Sequence, residues 1–157
     1  MSLSNQSHIV HHTFVSERTW SASPERVFAA FSDREQKRLW YFQGSESFEM
    51  DFRIGGAERA VSRLGADSPF PGVPLTSEGI HLDIAANQRV VIASCMSIGG
   101  RPMSASLCTF QFLPEGTGTC LVFTHQGAFY ENSDGPAMRE EGWNTILNRL
   151  DAVVNAA

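Results

Sequence analysis

The chain has 157 residues, 42% of them hydrophobic and 18% charged, which is the size and balance of one globular domain. Such a domain buries roughly 68–70% of its unfolded surface and needs neither metal nor disulfide to fold. The net charge of −5 leaves no basic stripe for a nucleic-acid backbone, and no apolar run approaches the ~18 residues of a membrane span. Three cysteines, Cys95, Cys108 and Cys120, show no CxxC spacing and read as reduced thiols in a cytoplasmic protein. Met1-Ser2-Leu3 reads as a cloning scar or a frayed end, and residues 1–12 as a flexible N-terminus carrying His8, His11 and His12.

Thr13 to Trp20, rich in β-branched and aromatic residues, predicts a first strand. Ser23-Pro24-Glu25 is a helix start, because serine caps and proline suits the first helical turn; Val27, Phe28 and Phe31 then share a face. Asp33 is placed to cap a second short helix ending near Trp40. From Ser47, the residues Phe48, Met50, Phe52 and Ile54 alternate with polar neighbours, predicting a strand with one wet face. Gly55-Gly56 turns it into a partner strand over 57–64. Asp51 and Arg53 are expected to make cross-strand pairs. Residues 65–75, with Pro69, Pro71 and Pro74, predict a loop.

Ile80, Leu82 and Ile84 mark the next strand, Asn87-Gln88 a turn, and 89–98 a further strand. Gly99-Gly100 and Pro114-Glu115-Gly116 bracket a strand over 103–113, and 119–126 follows as the last. Short connections favour an antiparallel meander. Pro136 to Ala157 predicts one amphipathic helix whose stripe is Trp143, Ile146, Leu147, Leu150, Val153 and Val154. Gly142 inside it implies close packing against another backbone or a late helix start, because glycine costs about 1 kcal/mol relative to alanine there.

Three ionisable residues fall on apolar faces by strand or helix parity: Glu78 with Ile80 and Leu82, His125 with Leu121 and Phe123, and Arg139 one turn before Trp143. Together they can orient the polar end of an apolar ligand, or let Glu78 and His125 exchange a proton. Each also has a plain reading, as a rim carboxylate, a satisfied core histidine and a surface ion pair. Phe129-Tyr130, ahead of the last helix, reads first as an ordinary surface loop, with gating of a cavity mouth as the alternative. No histidine–cysteine cluster, G-x-S-x-G elbow or phosphate loop occurs, so no metal, cofactor or hydrolase triad is expected.

Ser23-Pro24-Glu25-Arg26-Val27-Phe28 with Trp40 downstream, then Asp51-Phe52-Arg53-Ile54-Gly55-Gly56, resemble segments of the START-like, Bet v 1-like superfamily. Within it they are most similar to the group related to the C-terminal domain of the activator of Hsp90 ATPase. Gly79 with Asn87-Gln88-Arg89-Val90-Val91, Leu121-Val122-Phe123-Thr124-His125 and Gly142-Trp143 continue the likeness in order over about 14–150. The resemblance implies an α+β helix-grip fold, a curved antiparallel sheet of about seven strands (β-α-α-β6-α) wrapped around the C-terminal helix, in a single domain over 1–157. It implies a cavity between sheet and helix for an apolar or amphipathic ligand.

Cavity candidates are Trp40, Phe48, Met50, Phe52, Glu78, Phe110, Phe112, Phe123, His125, Arg139, Trp143 and Leu147. A ligand-binding module is the leading reading. A cyclase- or isomerase-like enzyme and a co-chaperone of an Hsp90-type ATPase are the rivals, and a homodimer is compatible with either.

Overall fold

The computed structural model describes residues 6–156. Expectations for Met1 to Asn5 and Ala157 lie outside these residues. Among the described residues, seven strands form one antiparallel sheet in the order β1-β7-β6-β5-β4-β3-β2. The strands are β1 (Val10–Trp20), β2 (Ser47–Met50), β3 (Ala57–Arg63), β4 (Pro74–Ala85), β5 (Arg89–Ile98), β6 (Arg101–Glu115) and β7 (Gly118–Phe129). Helices α1 (Pro24–Ser32) and α2 (Arg34–Trp40) connect β1 to β2, and α3 (Pro136–Asn155) closes the chain. The sheet is therefore a meander from β2 to β7, with β1 added beside β7 by the two-helix crossover.

Local chemistry accounts for the element boundaries. Ser23 Oγ accepts from Arg26 N at 3.2 Å, with Pro24 in the first turn of α1. Asp33 Oδ1 accepts from Glu35 N and Gln36 N at 2.9 and 3.1 Å, which ends α1 and starts α2. β1 begins at Val10, so 10–12 of the segment expected to be flexible are strand, with His11 and His12 opposite Ala128 and Gly127 of β7. β2 is shorter than the alternation suggests: it ends at Met50, and Asp51 to Gly56 form the turn. Gly56 is required there, since a Cβ would lie 2.0 Å from the Asp51 carbonyl. Asp51 and Arg53 pair with each other inside that turn at 2.7 Å, not across strands.

The inner face of the sheet alternates cleanly. Phe14 and Trp20 of β1, Leu121, Phe123 and His125 of β7, Phe110 and Phe112 of β6, Val90 and Ile92 of β5 and Ala60 of β3 are all buried. α1 and α2 add Val27, Ala30, Phe31 and Trp40, and α3 adds Trp143, Leu147, Leu150 and Val154. Aromatic contacts knit these layers, with Phe110 stacked on Phe123 at 4.6 Å and Trp143 against Phe123 at 4.5 Å. Polar links hold α3 against β1 as well. Asp151 accepts from Trp20 Nε1 at 2.9 Å and pairs with Arg18 at 2.7 Å.

β4 reverses the expected face. Ile80 and Leu82 point outward and are 42% and 50% exposed, whereas Ser77 and His81 are buried. Gly79 explains why this orientation fits: it lies on the inner face, where a Cβ would come 2.9 Å from Ile92 Cγ2. The register then shifts between His81 and Asp83.

Candidate functional site

α3 lies across the concave face of the sheet, and a cavity of about 430 Å³ opens between it and β3–β5. Its helix wall is Met138, Arg139, Gly142, Trp143, Thr145, Ile146 and Arg149, following the helical repeat. Its sheet wall is Ser62, Leu75 and Met96, one residue from each of three adjacent strands; Phe42, Gln43 and Asp134 complete it. The volume and the mostly apolar lining are those of a small-molecule site. Other depressions lie elsewhere on the surface: one bounded by His11, Ser106 and Gly127, and one bounded by Leu39, Ala152 and Val153, which is aliphatic but has no aromatic residue in its wall.

Gly142 faces the cavity, and a Cβ built there meets nothing within 4 Å. It is neither a close-packing glycine nor a late helix start, because α3 is already helical from Pro136. Its missing side chain leaves room in the cavity wall.

One end of the lining is polar and ordered. Arg139 donates to Asp134 through Nε and Nη2 at 2.7 and 2.8 Å and to Ser104 Oγ at 2.8 Å. Its guanidinium also stands 5.1 Å over the Phe129 ring. Phe129 is the buried end of β7 and not part of a gating loop. His125 lies behind, 1% exposed, stacked on Phe14 at 4.8 Å, with Nδ1 lacking a partner among the described residues. Burial, reinforced by the nearby Arg139 charge, lowers its pKa to about 4, so it is a neutral imidazole at neutral pH.

A second polar group sits beneath the aromatic layer. Lys37 of α2 reaches Glu58 of β3 at 3.4 Å, and His81 Nε2 is 3.8 Å from the same carboxylate oxygen. His81 Nδ1 lies 2.9 Å from the Gly56 carbonyl; a carbonyl only accepts, so Nδ1 carries the hydrogen. The Lys37 ammonium is caged by Phe31, Trp40 and Tyr41, with centroids 5.7, 5.2 and 5.0 Å away. Tyr41 shares a 2.8 Å hydrogen bond with Ser77 and stacks on Trp143. Burial first, and then the Glu58 charge, push its pKa up. The same two causes raise the Cys108 thiol to about 12, leaving it a protonated, inert thiol. Ser77 pairs with Met96 and follows Leu75 on the same face, so the Tyr41–Ser77 bond adjoins the cavity floor.

The candidate residues divide accordingly. Arg139 and Trp143 line the cavity. Trp40, Phe48, Phe110, Phe112, Phe123, His125 and Leu147 are buried in the layer around it, while Met50 and Phe52 are partly buried against the core. Glu78 does not belong with them. It is exposed on the outer face and pairs with Arg59 at 3.4 Å, because β4 presents its odd residues inward. The Glu78–His125 proton-transfer pair is therefore not formed. Sequence parity missed Lys37, Glu58 and His81; the only available signal was charge at helical or strand positions otherwise facing apolar neighbours.

The family model for Activator of Hsp90 ATPase homolog 1-like protein matches residues 21–155. Among solved structures, an uncharacterised protein from Rhizobium leguminosarum is 30% identical, with TM-score 0.90, covering 98% of this chain and 100% of that one. A protein from Rhizobium loti is 42% identical, with TM-score 0.82, covering 93% and 99%. A Staphylococcus aureus protein of unknown function, 16% identical with TM-score 0.75 over 94% and 96% of the two chains, shares the fold. No curated protein matches the chain. With its helix-grip architecture and a family match spanning most of its length, the chain belongs to the Activator of Hsp90 ATPase homolog 1-like family of the START-like, Bet v 1-like superfamily.

Proposed function

We propose that the protein is a single START-like domain that binds a small apolar or amphipathic molecule between α3 and β3–β5. The observation that carries this reading is the cavity of about 430 Å³, walled by Trp143, Ile146, Leu75 and Met96 and left open at Gly142. Gly142 is exposed at the mouth of that cavity, where alanine would be more favourable in the helix by about 1 kcal/mol but would narrow the entrance. Three unpaired cysteines suit a reducing, cytoplasmic setting. Thermal-shift screening against lipids, sterols and aromatic polyketides tests the reading. Ligands that raise the melting temperature of the wild type are expected to lose that effect in Gly142→Phe, whose ring fills the cavity. Equal shifts in both proteins would place binding elsewhere.

The family's own description supports a second reading, a co-chaperone that stimulates an Hsp90-type ATPase through its surface. ATP turnover by such a chaperone, measured with and without this protein, decides it: an unchanged rate removes the reading. The two are separable, because Gly142→Phe changes only the mouth of the cavity on α3 and leaves the outer face of the sheet untouched.

A further inference from the structure

The two arginines of the cavity wall differ in what surrounds them. Arg139 is matched by Asp134 and Ser104, so its charge is already balanced within the protein. Arg149 lies ten positions further along α3, about 15 Å at the helical rise. Its Nε donates to the Trp40 carbonyl at 3.2 Å, which fixes the guanidinium in place. Its two terminal nitrogens have no hydrogen-bond partner among the described residues, and no carboxylate of these residues lies within ion-pairing distance. Arg149 is half-buried at the divide between the cavity wall of Trp143 and Ile146 and a shallower depression bounded by Leu39 and Val153, so its free donors border the cavity. An anchored guanidinium with an unused pair of donors beside an apolar surface matches a carboxylate in charge and in planar geometry. The counts on the cavity wall agree: Arg139, Arg149 and Asp134 leave one positive charge, in a chain whose net charge is −5.

We propose that the cavity selects an amphiphile with one anionic head group, received by the terminal nitrogens of Arg149, its apolar body lying along Ile146 and Trp143 against Leu75 and Met96. This rests on the cavity-binding reading above and specifies its ligand class.

Isothermal titration with decanoate, decan-1-ol and decyltrimethylammonium, below their micelle concentrations, tests it. Decanoate is expected to bind about tenfold more tightly than the alcohol, and the cationic amphiphile more weakly than either, since a charge-assisted pair replaces a neutral contact. The acid-to-alcohol ratio is expected to fall to about one in Arg149→Met and to be partly kept in Arg149→Lys. In the wild type the ratio is expected to shrink with rising salt, a readout that does not depend on either variant folding. A wild-type ratio near one, a ratio that ignores salt, or one unchanged in Arg149→Met overturns the head-group assignment while the cavity reading stands. If none of the three amphiphiles binds the wild type, both fall.

Discussion

At the scale of single residues, the protein's interior is notable for the charges it keeps. Lys37 and Glu58 are 2% and 6% exposed, and each is tolerable only because the other is there. Replacing Lys37 by methionine preserves bulk in the cage of Phe31, Trp40 and Tyr41 but strands the Glu58 carboxylate. Lys37→Met is expected to lose about 3–5 kcal/mol in urea denaturation, and Lys37→Met with Glu58→Gln to recover most of it. Equal losses in the single and double variants would mean that the ion pair is not the relevant interaction.

His125 carries a pH dependence of definite sign. Its folded pKa of about 4 lies below the ordinary value of about 6.5, so the unfolded chain binds the proton more readily between these limits. Its contribution is fully present above pH about 6.5 and is lost as pH falls to about 4, roughly 3 kcal/mol in all. His125→Phe is expected to flatten stability against pH across that window, measured by denaturant midpoints. A slope identical to wild type would assign the acid sensitivity to other groups.

At the scale of elements, the helix starts were legible because capping is local: Ser23 and Asp33 satisfy amides two or three residues away, so neighbours in sequence suffice to see them. The strands of the meander were legible for a similar reason, since turns such as Asn87-Gln88 and Gly99-Gly100 are marked by their own residues. The facing of β4 was not legible. Its larger apolar residues, Ile80 and Leu82, lie outside, and Gly79 and His81 lie inside, so the usual sign of alternation misleads. What decides is Ile92 on the neighbouring strand, which leaves no room for a side chain at position 79. Gly142 of α3 makes the opposite point: it is free of neighbours. Gly142→Ala is expected to raise stability by about 1 kcal/mol, a melting shift of roughly 2–4 °C. A loss of stability there would show that the position is more crowded than its surroundings indicate.

At the scale of the whole molecule, the sheet and α3 form two walls that meet at their aromatic centre and separate toward β3–β5. Trp143 sits at the divide, packed on Phe123 and Tyr41 on one side and lining the cavity on the other. Closure of the walls at the far end depends on polar links from α3: Asp151 to Arg18 and Trp20, and the Val153 carbonyl to Arg26 at 2.8 Å. The cavity therefore lies where the helix is not tied down by aromatic packing. That is why residues expected to line one site, such as Phe110 and Leu147, serve as the solid part of the same interface instead.

The sequence by itself determined the order of elements, the helix caps, the inner stripe of α3 from Arg139 to Val154, and the family, because these depend on periodicity, local hydrogen bonding and the order of motifs. Only the tertiary structure decided which face of β4 turns inward. It alone brought Lys37, Glu58 and His81 together from α2, β3 and β4, matched Arg139 with Asp134, and left Arg149 with unused donors. These outcomes rest on distances between residues far apart in the chain, and burial makes each of them costly to violate. Periodicity assigns a residue to a face, but only packing decides what that face meets.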